Sequence, residues 1–331
     1  MFITEKCDLC GDCFVKCQWI EVDRSQSVLW MKEIIAEKNS EILKKCLTCY
    51  ACNEYCTRGA NPFDQIAILQ DKYHALFPKE AVESMEQKYI FSGEIKNQPS
   101  ADRIMSVCVF GKSDSHLIQG ELYDLPRVSG KPYFCWIMFS HLGGESVQRR
   151  HAQEFVDRLA GTGAKEIVCF HDDCYSMLAK IAPGYGVKVP FRPIHLSEYI
   201  VERLKANKDK IKPLNIDIAY SRPCASRYTP EKECFIDEVF ELTGVNRVKR
   251  LYDRENALCC AGSKLLLGKG DPKPDQEKNF NDAKDAGAKA MVCLCPICMH
   301  SFSGTAIEMQ MPLMFLGDIA RMALGELDCP L

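Results

Sequence analysis

The sequence predicts an α + α/β fold, in which a helical N-terminal part precedes two related α/β repeats. Two cysteine runs of identical spacing enclose a stretch that has helical character, and short apolar runs alternate with helical stretches after residue 104. The pattern of the first α/β half then recurs in the second half. With 331 residues and 47% hydrophobic content, the chain can form two or three domains. The predicted boundaries are 1–60, 61–100, 101–212 and 213–331.

Eight N-terminal cysteines form two runs with the spacing C-x2-C-x2-C-x3-C. This is the bacterial ferredoxin spacing, in which the fourth cysteine of each run binds the cluster of the other run. It predicts two cubane [4Fe-4S] clusters, and a pair of zinc sites is the alternative interpretation. The predicted ligand sets are Cys7, Cys10, Cys13 and Cys56 for one cluster, and Cys46, Cys49, Cys52 and Cys17 for the other.

The segment between the two runs favours an α-helical ferredoxin over the small ββ form. Residues 25–45 contain no Gly or Pro and carry apolar side chains among Lys and Glu, so one helix is predicted there. Residues 61–100 lie between Asn61-Pro62 and the polar stretch 97–100, and they are predicted to be a helical connector.

Two α/β repeats are predicted after the connector. The apolar runs 104–109 and 133–138 are expected to be strands, and residues 147–159 a helix. In both copies a Gly-Ala-Lys sequence leads into a strand, and a ligand loop follows where the strand ends and a helix begins, which is where open α/β sheets place their sites. Aligning Cys135 with Cys259 matches Gly163-Ala164-Lys165 with Gly287-Ala288-Lys289, Cys169 with Cys293, His171 with Cys295, and Cys174 with Cys298, all without a gap.

The second copy carries a complete set of five thiols, whose spacing favours metal binding: Cys224, Cys259, Cys260, Cys295 and Cys298. The first copy has diverged, because Trp136 stands in place of Cys260 and His171 in place of the first thiol of the CxxC pair. It keeps a four-ligand set for zinc or an altered iron-sulfur cluster. The alternative is a vestigial, metal-free core with Asp172 and Asp173 solvated nearby. The four candidate ligands are Cys108, Cys135, His171 and Cys174.

The remaining features are interpreted more simply. Cys169 and Cys293 are expected to pack beneath the sites, and Cys234 and Cys329 to be spare thiols. Arg222 and Arg227 flank Cys224, where they either act on an anionic substrate or the cluster potential, or form a surface salt bridge. The chain has neither GxGxxG nor a P-loop, so no flavin or nicotinamide site is expected within it. The net charge of −3 and the lack of a dense basic patch argue against nucleic-acid binding.

The chain resembles the heterodisulfide reductase family, with a C-subunit-like ferredoxin part at 1–60 fused to a B-subunit-like part at about 101–331. Its C, CC and CxxC pattern matches the family's CCG-type cysteine-rich domain, although Ala261 precedes Gly262 where the family has an immediate glycine. The resemblance implies an N-terminal α-helical ferredoxin followed by two pseudo-symmetric α/β CCG-type repeats. It also implies a noncubane [4Fe-4S] cluster on the five thiols of the second, intact repeat.

We therefore expect an electron-transfer subunit of an anaerobic redox complex, in which electrons pass between the two cubane clusters and the noncubane cluster. The alternatives are a disulfide or heterodisulfide reductase, in which the same five cysteines are catalytic, and a zinc-binding structural subunit. The expected partner is a flavoprotein, a hydrogenase-like or formate dehydrogenase-like protein, or a membrane quinone-linked subunit. No apolar run is long enough to cross a bilayer, so a cytoplasmic location is expected, with membrane association only through a partner.

Overall fold

The computed structural model describes residues 1–96 and 98–331, so Asn97, one marker of the connector's end, lies outside the described residues. The predicted fold class is confirmed, because a helical N-terminal part is followed by two parallel four-stranded sheets. The strands are β1 Arg103–Ser106, β2 Arg127–Val128, β3 Glu166–Cys169, β4 Arg192–His195, β5 Asp217–Ser221, β6 Asn246–Arg247, β7 Ala290–Cys293 and β8 Leu313–Phe315.

The two sheets have the same topology. Their strand orders are β2-β1-β3-β4 and β6-β5-β7-β8, and each neighbouring pair is parallel. The central pairs hydrogen bond in register, with Met105 opposite Val168 in the first sheet and Tyr220 opposite Val292 in the second. Strands β3 and β7 occupy the positions that the alignment of the two copies predicts, which agrees with a duplicated unit.

Helices precede the first sheet and cover both sheets. In the N-terminal part they are α1 Asp12–Val15, α2 Arg24–Ile35, α3 Ile42–Lys45, α4 Ala51–Tyr55, α5 Pro62–Lys72 and α6 Lys79–Tyr89. In the first repeat they are α7 Met138–His141, α8 Glu145–Ala160, α9 Asp172–Ser176, α10 Ala182–Gly184 and α11 Leu196–Ala206, with a π-helical turn at Met177–Ile181. In the second repeat they are α12 Glu233–Thr243, α13 Gly262–Leu266, α14 Lys273–Asp285, α15 Pro296–Glu308 and α16 Leu316–Ala323.

Two local predictions were wrong. Residues 25–45 do not form one helix, since α2 ends at Ile35 and Glu37 adopts a left-handed backbone with φ of 52°. Residues 133–138 do not form a strand; they make a buried loop that leads into α7 and in which Trp136 has φ of 64°. A short apolar run is buried whether it forms a strand or a loop. The apolar pattern of 133–138 alone therefore could not distinguish the two.

One hydrophobic core extends across both repeats, and the second repeat has a further core around Phe280 and Phe302. The fully buried rings of Phe170, which follows β3, and Phe315, which ends β8, contact each other with centroids 5.3 Å apart. Burying a phenylalanine contributes about 1.5–3 kcal/mol relative to leaving it exposed, so this contact stabilises the pairing of the sheets. The end of β3 is thereby held against the end of β8, the strand that pairs with β7.

The helical N-terminal part is joined to the second repeat by buried ion pairs. Glu54 on α4 accepts hydrogen bonds from Arg222 at 2.7 Å and from Arg227 at 2.6 Å. The arginine side chains are only 3% and 4% exposed, so the interpretation as a surface salt bridge was wrong. Both guanidinium groups are engaged by Glu54, and they hold the N-terminal part against the loop of Cys224.

Candidate metal centres

The first run of cysteines surrounds a space that we call hollow A. Its wall includes Cys7, Cys10, Cys13 and Cys56, so the fourth cysteine of the second run lies with three cysteines of the first. Of the four thiols, Cys10 is exposed. Burial, followed by the neighbouring thiols Cys7, Cys10 and Cys56, raises the pKa of Cys13 to about 12.

A second space, hollow B, is lined by the complementary set. Cys17 of the first run lies there with Cys46, Cys49 and Cys52 of the second, and Cys13 also touches its edge. Burial, followed by repulsion from the thiol of Cys49, raises the pKa of Cys46 to about 12. Because Cys13 lines both spaces, hollows A and B adjoin each other.

The two loops that supply these thiols repeat one backbone conformation. Leu9 and Gly11 have φ of 59° and 79° in the first run, and Thr48 and Tyr50 have φ of 56° and 62° at the equivalent positions of the second. A positive φ is unfavourable for residues other than glycine. Its recurrence at equivalent positions therefore indicates that the two loops serve the same function. At Gly11 an added Cβ would lie 3.2 Å from Ser27 Oγ, which leaves little room for a side chain.

The five thiols of the second repeat form a continuous chain of contacts. Interaction with Cys259 and then His141 lowers the pKa of Cys224 to about 5 against the opposing effect of burial. Interaction with Cys298 and then His171 lowers the pKa of Cys295 to about 6, and Cys260 lies between Cys259 and Cys298. Low thiol pKa values favour the thiolate form that binds metals, whereas hydrogen bonds to the neighbouring thiols raise the pKa values of Cys259 and Cys298. We call this set the five-thiol site.

Three thiols of the first repeat are grouped more tightly than the thiols of the other sites described above. The sulfur atoms of Cys108, Cys135 and Cys174 are within 4.8 Å of one another, and all three residues are buried. Tetrahedral zinc with Zn–S bonds of about 2.3 Å places its thiolates about 3.8 Å apart, so this spacing fits a single ion. Among the described residues, no other group of Cys, His, Asp or Glu meets the same distance criterion. We call this set the three-thiol site.

The fourth predicted ligand of the first repeat lies beside this group, outside the 4.8 Å set. His171 is 4% exposed, and its Nε2 lies 3.4 Å from Cys295 Sγ in the five-thiol site. Asp172 and Asp173 are not solvated as the vestigial alternative assumed. Asp172 is buried against His195 at 2.8 Å, and burial raises the pKa of Asp173 to about 7.

The other cysteines lie where simple packing places them. Cys169 and Cys293 are fully buried at the ends of β3 and β7, and burial raises the pKa of both thiols. Cys234 and Cys329 are exposed and lie outside every group described above. These positions agree with packing roles for the first pair and spare thiols for the second.

Sequence reasoning missed His141, which joins hollow B to the five-thiol site. Its Nδ1 lies 2.7 Å from Thr48 Oγ1, and its Nε2 lies 3.1 Å from Tyr50 OH and 3.9 Å from Cys224 Sγ. The Tyr50 ring stacks on the imidazole with centroids 5.2 Å apart. His141 belongs to no spacing motif, so the only available signal was a histidine in a buried segment of an otherwise histidine-poor chain.

The comparisons with known proteins bear on the fold. No protein-family model matches the chain. A crystal structure of a hypothetical protein from Helicobacter pylori is similar, with a TM-score of 0.59 and 12% sequence identity over 82% of this chain and 59% of that one. The chain thus spans about 59% of the length of that protein, and the likeness shows a shared fold. None of the helices in the described part of the chain has the length and apolarity needed to cross a bilayer. The chain is a cysteine-rich α/β protein whose cysteine clusters fit metal centres.

Proposed function

We propose that this chain is an electron-transfer subunit, in which two cubane [4Fe-4S] clusters in hollows A and B exchange electrons with a noncubane [4Fe-4S] cluster at the five-thiol site. The donor sets support this assignment. Each hollow is lined by its predicted set of four thiols, and no three of the described thiols of the five-thiol site lie within 4.8 Å of one another, as ligands of a single ion would. The clusters would supply the one-electron chemistry, and the protein would bind them close to one another and determine their electrostatic environment.

The observation that carries the proposal is the contact between hollow B and the five-thiol site. Tyr50 is 1% exposed, lines hollow B and reaches His141, which in turn faces Cys224. One apolar cluster around Tyr50 also packs against Cys46, Cys52 and Cys224, so thiols of both sites touch the same side chains. Such a contact is what a relay requires.

A second contact between the N-terminal part and the second repeat involves Lys269, which follows the cysteine doublet in the sequence. Lys269 donates from Nζ to the carbonyl oxygen of Cys46 at 3.0 Å and to that of Lys44 at 2.5 Å. Lys269 lies nine residues after Cys260, so the chain that carries the doublet is anchored beside hollow B. A cation at this position also favours the reduced, more negative state of a cluster in hollow B.

The exposure of the thiols supports an order for the three centres. Cys10 of hollow A is exposed, whereas none of the four thiols of hollow B is, and hollow B adjoins His141 and Cys224 through Tyr50. We propose that the redox partner docks over hollow A and that electrons pass through hollow B to or from the five-thiol site. The partner is a flavoprotein, a hydrogenase-like or formate dehydrogenase-like protein, or a membrane quinone-linked subunit.

A relay is favoured over independent heterodisulfide reduction because the first repeat lacks a second five-thiol set. Trp136, 1% exposed and stacked on His151 at 3.8 Å, fills the place of the second doublet cysteine. Heterodisulfide cleavage in the family that the chain resembles uses one noncubane cluster in each repeat. We propose that the three-thiol site holds one Zn²⁺ instead, with His171 as its fourth ligand.

The relay is tested by removing the contact at His141. In a His141→Leu variant, electron transfer from the cubane clusters to the five-thiol site is expected to slow by about tenfold, equivalent to about 1.4 kcal/mol in the barrier. The measurement is rapid-freeze EPR of the anaerobic protein after a pulse of reductant, which follows each cluster signal separately. The iron content should stay unchanged, since His141 is not a proposed ligand.

The matched control is His300→Leu, which alters a 59% exposed histidine of α15 whose Nε2 lies 2.8 Å from Asp114 Oδ1. It should leave the transfer rate unchanged. An unaltered rate in His141→Leu, or turnover of a heterodisulfide by the isolated chain, would contradict the proposed relay.

A further inference from the structure

Equivalent residues of the two repeats meet where the repeats face each other. His171 and Cys295 match in the alignment of the two copies, and each directly precedes the first helix after its strand, α9 or α15. His171 Nε2 and Cys295 Sγ are 3.4 Å apart. In a pseudo-symmetric pair, residues near the axis contact their own equivalents, so a change at one of them acts directly on the other repeat.

The imidazole of His171 interacts with thiols of both repeats, because its Nε2 lies near Cys295 and the ring lies beside Cys108 and Cys135. Its Nδ1 is buried and has no hydrogen-bond partner, while the ring interacts with the thiols of Cys108 and Cys135. A bond from Nδ1 to an ion in the three-thiol site would give this buried polar atom the partner that it lacks. The edge-on contact with Phe110, with centroids 4.8 Å apart, limits rotation of the ring.

The other nitrogen then has a fixed role. When Nδ1 binds a metal ion, the neutral imidazole carries its proton on Nε2 and can only donate from that atom. The groups facing Nε2 are Cys295 Sγ at 3.4 Å and the Asp173 carboxylate at 3.6 Å. Cys295 is the nearer of the two, and it belongs to the five-thiol site.

We propose that His171 is a positioning residue that couples the two repeats: a metal ion in the three-thiol site holds Nδ1, and the Nε2–H of the same ring donates a hydrogen bond to Cys295 Sγ. The inference rests on the proposed cluster at the five-thiol site. A donor to a ligating sulfur stabilises the reduced cluster, which carries the additional negative charge, and so raises its reduction potential. The first repeat thereby influences the reduction potential of the cluster at the five-thiol site in the second repeat.

The test uses the anaerobic holoprotein and two substitutions at position 171. His171→Cys keeps four zinc ligands but removes the donor to Cys295, so zinc is expected to stay while the midpoint potential of the five-thiol cluster shifts to more negative values. His171→Ala is expected to lower zinc occupancy and to shift the potential in the same direction. Zinc is measured by elemental analysis and the potential by EPR-monitored redox titration. Retained cubane signals show that each variant is folded.

The exposed His300 again provides the control, since His300→Ala should change neither zinc nor potential. Wild-type protein tests the geometry without any substitution, because zinc X-ray absorption should give three sulfur ligands and one nitrogen ligand. A wild-type zinc shell without nitrogen, or an unchanged potential in His171→Cys, would overturn the coupling. Absence of a cluster at the five-thiol site would instead overturn the proposed function, and would show as missing iron while zinc stays bound.

Discussion

A Cys7→Ser/Cys56→Ser double variant is expected to lose one cubane cluster completely and to keep the other. The two cysteines belong to different runs of the sequence but line the same hollow A. With two of four thiolates gone, a cluster there should not assemble, which removes about four iron atoms per chain. The cluster in hollow B keeps all of its thiols, and its EPR signal should persist.

The matched comparison is Cys7→Ser/Cys17→Ser, which removes two cysteines of the same run. In the structure these two line different hollows, so each cluster would lose one ligand and both signals should change. The reverse result, in which Cys7 and Cys17 together abolish one signal and leave the other intact, would mean that each run binds its own cluster.

Glu54→Ala is expected to destabilise the protein by about 3–5 kcal/mol, because it leaves two buried guanidinium groups without their shared carboxylate. Arg222 and Arg227 are almost fully buried, and Glu54 is 14% exposed. Both arginines also donate to carbonyl oxygens just before the cysteine doublet, Arg222 to Arg254 at 3.3 Å and Arg227 to Ala257 at 2.7 Å. Loss of the carboxylate should therefore also loosen the loop of the five-thiol site.

The measurement is urea denaturation of the anaerobic holoprotein, followed by fluorescence. Glu41→Ala is the matched control, since Glu41 pairs with Lys45 one helical turn away while 61% exposed. An exposed pair of this kind contributes about 0.3–0.5 kcal/mol. Equal denaturation midpoints for the two variants would show that the Glu54 ion pairs do not hold the N-terminal part to the second repeat.

The sequence allowed the repeated architecture to be predicted because local rules determine it. Gly163 and Gly287 precede strands at matching positions, and each strand ends at a ligand loop. The grouping of the eight N-terminal cysteines into hollows A and B follows the spacing rule that predicted it. That these cysteines bind clusters stays a prediction.

What the sequence did not reveal depends on contacts between distant segments. His141 meets Tyr50 across 91 residues, and Glu54 meets Arg227 across 173. No periodicity or spacing records such pairs, since they arise only when the N-terminal part packs on the second repeat. The strand expected at 133–138 failed for a related reason: Trp136 is buried by tertiary packing in a loop, which a pattern of apolar residues also fits.

The central claim is that the cysteine sets bind iron-sulfur clusters, and the most direct test is the iron, acid-labile sulfide and zinc content of the anaerobically purified protein. Two cubane clusters and one noncubane [4Fe-4S] cluster predict about twelve iron atoms and about twelve sulfides per chain, together with about one zinc ion. Several zinc ions per chain without iron or sulfide would contradict the relay and would identify the protein as a zinc-stabilised scaffold.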